Sequence, residues 1–298
     1  MDVHNTEIFL RGFAFPEAAR WHDSALWFCD IWGKKIYQIT PDGQVKRCLD
    51  TDGEPAGLAW LKDGTMLVTS LFERQLLALS HDRLHLFCDL SDLARPGYCH
   101  DMTVNGNDTI YLSNSGFYPA PGVTPVTSNV IAFNAGDKPY IAARDIGYPN
   151  GIVVNDQQQL LVAETFAANI LSFDIDSDGS LNNRRNWASF DDIGFKVEFD
   201  EQGVPRDLSR HTPDGMCLDN QGRLWVASPA RQQVVCVAKG GDIQAVVHTN
   251  ALPFDCVWGG VEGNVLYIMT TRAEQGQKTG MIEQYISSER MIRHRSSA

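Results

Sequence analysis

Short apolar runs alternate with turn residues along almost the whole chain, and the runs recur in pairs. In one pair, Asn150-Gly151-Ile152-Val153-Val154 is followed by the polar Asn155-Asp156 and then by Leu161-Val162-Ala163-Glu164. In the next, Asp214-Gly215-Met216-Cys217-Leu218 leads through Asp219-Asn220-Gln221-Gly222 to Trp225-Val226-Ala227-Ser228. Further copies begin at Glu17, Ala56, His100 and Asp255, with second runs from Trp27, Leu67, Tyr111 and Tyr267. β-Branched and aromatic runs bounded by Asp-Gly or Asn-Asp are hairpin chemistry, so each copy predicts two antiparallel strands. A third strand follows in places, at 36–39 and 170–173. No stretch carries the 3.6-residue periodicity of an amphipathic helix.

The register of these copies predicts the fold. From the first residue of each copy, its anchor, to the second run the offset is 11 in four copies (56 to 67, 100 to 111, 150 to 161, 214 to 225). It is 10 in the first copy and 12 in the last. Successive anchors lie 39, 44, 50, 64 and 41 residues apart. Repeats of this length built from hairpins predict an all-β chain, a six-bladed β-propeller in which closure removes the sheet edges. It is expected to form one domain with its core over about 7–285. A lone N-terminal strand, Glu7 to Leu10, is expected to complete the sheet that ends in Met281 to Tyr285. Residues 287–298 have no apolar periodicity and are expected to be a frayed tail.

Composition narrows the function. The 298 residues are 43% hydrophobic and 21% charged, which excludes a disordered chain. A net charge of −12 argues against a nucleic-acid partner, whose binding needs a basic footprint. No apolar run approaches the roughly 20 residues of a membrane span, and no secretory signal precedes Gly12. Seven scattered cysteines form no Cys-x-x-Cys pair, which fits reduced thiols in a cytoplasmic protein. The partner expected is a small molecule; oligomeric state stays open. Gly-x-Ser-x-Gly, His-Glu-x-x-His and Gly-x-Gly-x-x-Gly motifs are absent. The stretch Asp174–Gly179 imitates the start of an EF-hand loop but has Arg185 at its twelfth position, so an acidic turn is expected.

Equivalent positions of the innermost strands form a ring around a propeller's channel. The anchors Glu17, Ala56, His100, Asn150, Asp214 and Asp255 are therefore expected to face one another near one mouth. Carboxylates crowded there would repel without a cation, and oxygen donors suit a hard divalent ion. A competing reading makes Asn150 and Asp214 turn formers ahead of glycine.

Phe15-Pro16-Glu17 with Trp21 and Trp27–Ile31, then Pro149-Asn150-Gly151, Pro213-Asp214-Gly215 and Pro253-Phe254-Asp255-Cys256 together resemble the SMP-30/gluconolactonase/luciferin-regenerating-enzyme family over about 7–285. The resemblance implies a propeller binding one divalent metal through Glu17, Asn150 and Asp214, and lactone hydrolysis as the activity. Ca²⁺ is expected first, with Zn²⁺, Mg²⁺ and Mn²⁺ as alternatives. Where sugar-lactone members often carry Arg-x-Asn-Asp, this chain has Tyr98-Cys99-His100-Asp101. That departure favours a less hydroxylated lactone and sets an imidazole beside the metal. Asp214 is the expected general base, His100 a second proton-transfer group, and Tyr98, His100 and Asp101 substrate-binding residues, with Asp101 able to orient His100. Phosphotriester hydrolysis on the same metal and a non-catalytic metal-binding propeller are the alternatives. The segment 191–210 lengthens the gap before Asp214; its Phe195, Val197 and Phe199 alternate with charged residues, as expected of a lid with one apolar, substrate-facing side.

Overall fold

A computed structural model describes residues 1–120, 122–190 and 210–292. The hairpin units fold into six sheets, five of four strands and one of five. The innermost strands are Pro16–His22, Pro55–Trp60, Cys99–Val104, Pro149–Val154, Met216–Leu218 and Leu252–Gly259. Each touches the next, and the sixth touches the first, so the ring closes as a six-bladed β-propeller. The constant offset in the sequence is a constant hairpin register. The residue three past the anchor pairs across the hairpin with the first residue of the second run: Ala59 with Leu67, Thr103 with Tyr111, Val153 with Leu161, Cys217 with Trp225.

Closure takes the expected form. Glu7–Phe13 is the outer strand of blade six and pairs antiparallel with Gly280–Ile286, from Glu7 opposite Gln284 to Phe13 opposite Gly280. A second N-terminal strand, Asp2–Asn5, adds to the outer strand of blade five in parallel. The Glu283 side chain locks this junction from inside. Wholly buried, it accepts hydrogen bonds from the Thr6 and Thr270 hydroxyls and from the backbone and side-chain amides of Asn250.

The core lies between blades, where branched residues of facing sheets interdigitate. Leu67 and Leu76 of blade two, for example, pack with Met102, Ile110 and Ile131 of blade three. Each fully buried side chain of this kind stabilises the fold by about 1.5–3 kcal/mol. Asp174–Gly179 is a turn, as expected: the Gly179 amide donates to the Asp176 carbonyl, and Gln159, Asn183 and Arg185 occupy the Asp174 carboxylate.

The expected frayed tail needs correction over 287–292. The Met291 side chain is buried against Trp225 and Trp258, its amide donates to the Gly263 carbonyl, and its carbonyl accepts from the Asn220 amide. Two adjacent apolar residues, Met291 and Ile292, in a polar stretch show no periodicity, so the pattern could not reveal this docking. Residues 293–298 lie outside the described residues. Among the described residues no helix is long and apolar enough to cross a membrane.

Candidate metal centre

The anchors sit where the inner strands begin, and there the ladder is interrupted. Register shifts fall between Glu17 and Arg20, Pro55 and Gly57, Cys99 and Met102, Pro149 and Ile152, and Pro253 and Asp255. Such bulges re-aim side chains beside functional sites. In blade one the bulge includes Ala18 at φ 53°, a left-handed conformation uncommon for a residue with a Cβ. Glu17, Ala56, His100, Asn150 and Asp255 consequently line one small cavity, together with Asp101 and Gly215.

The glycines after three anchors make this convergence possible, and turn formation is not their role. Gly57, Gly151 and Gly215 have no positive φ. A Cβ at each would come within 3 Å of the next blade's anchor: the His100 carbonyl, the Asp214 carbonyl and the Asp255 carboxylate respectively. Hydroxyls hold the strand entrances in place. Thr69 donates to the His100 carbonyl at 2.7 Å, Ser115 to the Pro149 carbonyl at 3.2 Å and Thr165 to the Pro213 carbonyl at 2.7 Å.

Four buried carboxylates meet here: Glu17, Asp101, Asp214 and Asp255. One cation serves two of them. The Arg20 guanidinium lies 2.5 Å from Asp101 and 3.8 Å from Asp255. Backbone amides complete both acids, with Met102 and Ile152 donating to Asp101, and Ala19 and Cys256 to Asp255. Burial still raises Asp255 to about 7 although Arg20 pulls it down. Glu17 and Asp214 have no such partner. Burial, then repulsion from Asp214, Asp255 and Asp101, holds the Glu17 carboxyl well above the usual range. Burial, then Asp255 and Asp101, does the same to Asp214, against a bond from the Asn150 amide.

Glu17 Oε2 and Asp214 Oδ1 are buried with no hydrogen-bond partner. Burying an anionic oxygen uncompensated is costly, so these two oxygens are the ones in the ring open to a proton or a cation. The donor set Glu17, Asn150 and Asp214 therefore fits a hard divalent ion. Among the described residues no three His, Cys, Asp or Glu side chains already stand in metal-ligand geometry, and one of these three donors is an amide.

His100 is buried beside the pair, with Nε2 3.6 Å from Glu17 Oε2 and Nδ1 without a partner. Burial lowers its imidazole to about 4, so it is neutral near pH 7. Asp101 does not orient it, being directed to Arg20 and two backbone amides. Tyr98 is buried with its hydroxyl against that of Tyr148, and its ring lies 6.2 Å from the His100 ring. Burial raises both phenols, which stay protonated. Phe195 and Phe199, expected in a lid, lie outside the described residues.

Sequence reasoning missed Arg20 and Tyr148. Arg20 had a signal: equivalent positions in four other blades are Ala59, Thr103, Val153 and Cys217, all uncharged.

Residues 15–272 match the model of the SMP-30/Gluconolactonase/LRE-like region. The chain belongs to this family. It is 24% identical to regucalcin of Oryctolagus cuniculus over 269 residues, covering 86% of this chain and 83% of that one. A luciferin-regenerating enzyme structure superposes with a TM-score of 0.79 at 16% identity, over 97% of both chains. The calcium-binding protein regucalcin of Agrobacterium tumefaciens superposes with a TM-score of 0.75 at 14% identity, over 96% of both chains. In this chain the Tyr98–Tyr148 phenols and the neutral His100 stand beside the carboxylate pair.

Proposed function

We propose that this chain is a metal-dependent hydrolase that opens a lactone ring, acting on a less hydroxylated substrate than a sugar lactone. The observation that carries the reading is the pair of buried carboxylates with orphaned oxygens, Glu17 and Asp214, joined by the Asn150 amide and left unneutralised by Arg20. Family membership and the calcium-binding description of one structural relative support it.

Glu17, Asn150 and Asp214 would hold one divalent cation, Ca²⁺ first by donor chemistry, which when bound polarises the lactone carbonyl and activates water. The neutral nitrogens of His100 nearby keep Zn²⁺ as the alternative. Asp214 accepts the proton of the attacking water at its carboxylate. His100, neutral near pH 7, takes a proton at an imidazole nitrogen and passes it toward the leaving alkoxide. The Tyr98–Tyr148 hydroxyl pair, one donating to the other, leaves one neutral O–H for the substrate's oxygens, and the two rings exclude water. A surface with a net charge of −12 favours a small neutral ester over a polyanion. Seven free cysteines support a reducing, cytoplasmic setting.

The test combines metal analysis with hydrolysis of unsubstituted, alkyl and aryl lactones and one phosphotriester, each with and without chelator. One metal equivalent and chelator-sensitive lactone opening are expected. One tightly bound metal with no hydrolysis across the panel would replace this reading with a non-catalytic scaffold.

A further inference from the structure

The sequence points to a less hydroxylated substrate only through what is missing, an arginine replaced by Tyr98. The structure adds a positive feature beside the cavity. Phe72 follows the second strand of blade two, Tyr98 precedes the inner strand of blade three, and Tyr118 follows that blade's second strand, Thr109–Asn114. Pro55 pairs with Ser70 and Cys99 with Asn114, so all three loops emerge on the side where the anchors begin. The rings of Phe72 and Tyr98 lie 5.5 Å apart, those of Phe72 and Tyr118 5.5 Å, and those of Tyr98 and Tyr118 6.2 Å, all mutually tilted by 54–60°. Exposure falls from 48% at Tyr118 and 41% at Phe72 to 5% at Tyr98. The three rings thus form a wall running from solvent to the imidazole of His100.

This wall is built rigidly. Arg74 donates to the Gly97 carbonyl at 2.6 Å and to the Phe72 carbonyl at 3.2 Å, tying two of the loops together. Gly97 packs directly on the backbone of Gly116, where a Cβ would collide, which fixes the Tyr98 loop against the Tyr118 loop. Behind Tyr98 the buried side chains of Leu71, Phe117, Tyr148 and Phe166 hold its ring in place.

We propose that Phe72, Tyr98 and Tyr118 form a subsite for an aromatic ring carried by the lactone substrate. The inference rests on the lactonase reading and names the class of substrate. Mutually tilted rings present both faces and edges, an arrangement that favours a further aromatic ring beyond the area it buries. Two large aromatic side chains left exposed side by side are apolar surface that a ligand would cover. The wall residues carry no charge, and the carboxylates behind them repel an anionic substituent, so the ring bears no anionic group. Loops already braced before binding lose little freedom on complex formation.

Two γ-butyrolactones, bearing either phenyl or cyclohexyl at the β carbon, test this with the leaving alkoxide unchanged; the unsubstituted lactone is the reference for each variant. The wild-type chain should favour phenyl over cyclohexyl in kcat/KM by about three- to tenfold. In the Phe72→Leu/Tyr118→Leu variant, which keeps apolar bulk without rings, the ratio should fall to about one. Binding of 3-phenylcyclopentanone against 3-cyclohexylcyclopentanone, measured by calorimetry, should show the same preference and the same loss without turnover. Lactone hydrolysis with no phenyl preference, or a preference the double variant retains, overturns the subsite. Absence of all lactone hydrolysis overturns the lactonase reading instead, and the ketone pair then decides the aromatic preference alone.

Discussion

Glu283 and the Glu17–Asp214 pair are buried carboxylate sites built on opposite principles. Glu283, wholly buried at the junction of the N-terminal segment with blades five and six, is surrounded by hydroxyl and amide donors. Glu17 and Asp214 are almost as deeply buried, yet each keeps an oxygen without a partner. Burial is common to both sites, whereas satisfaction separates them. A carboxylate with all its donors in place is structural, because the fold itself supplies the compensation. A carboxylate that the fold leaves uncompensated is a candidate binding site. Arg20 marks the boundary inside the channel: the two acids it reaches belong with Glu283, and the two it does not reach form the candidate metal centre.

The sharpest separation comes from truncating one acid at each site. Asp214→Ala should lower lactone turnover by about a thousandfold or more and reduce bound metal well below one equivalent, measured by elemental analysis and initial rates. Near-normal rate and metal content would remove Asp214 from the centre. Glu283→Ala should leave metal stoichiometry intact and instead destabilise the chain by about 3 kcal/mol, since several buried donors lose their acceptor. Denaturant unfolding measures this, and an unchanged midpoint would mean that the donors find water.

A smaller effect is expected at His100. His100→Asn should retain metal and lower kcat by roughly ten- to a hundredfold, with an altered pH–rate profile. Parent-like rate and profile would make the imidazole structural.

The smallest effect concerns pH and the metal-free chain. Asp255 rises to about 7 in the fold, and Glu17 and Asp214 are also raised, whereas unfolded carboxyls titrate near 4. Between those limits the folded chain holds protons that the unfolded chain has released, so stability should fall as pH rises from about 4 through 7. Metal should flatten this decline. Asp214→Asn, which removes one repelling charge, should raise the metal-free unfolding free energy by about 1 kcal/mol, opposite in sign to Glu283→Ala. A metal-free midpoint independent of pH would show the repulsion to be compensated within the fold.

The repeat was legible because a closed ring imposes the same hairpin on each blade, and equal hairpins leave equal offsets in the chain. Glu17, His100, Asn150 and Asp255 could be placed together for the same reason, since equivalent positions of a ring necessarily converge. The glycines after Ala56, Asn150 and Asp214 were visible, but their purpose was not. A turn glycine and one that clears space for the neighbouring blade look alike in a sequence; only φ and the distance to the next strand distinguish them.

The chain pattern by itself determined the β architecture, the number of blades, the closure by the N-terminal strand and the anchors that meet at the mouth, because each follows from short-range periodicity repeated at a fixed interval. Which acids are neutralised was decided only by the tertiary structure. Arg20 reaches Asp101 and Asp255, 81 and 235 residues further along the chain, and no local pattern encodes that choice. The same holds for Tyr98 against Tyr148, for Phe72 beside Tyr118 and for Met291 on its two tryptophans. Charge compensation and ring stacking act over a few ångströms in space, so they become visible only once distant segments have been brought together.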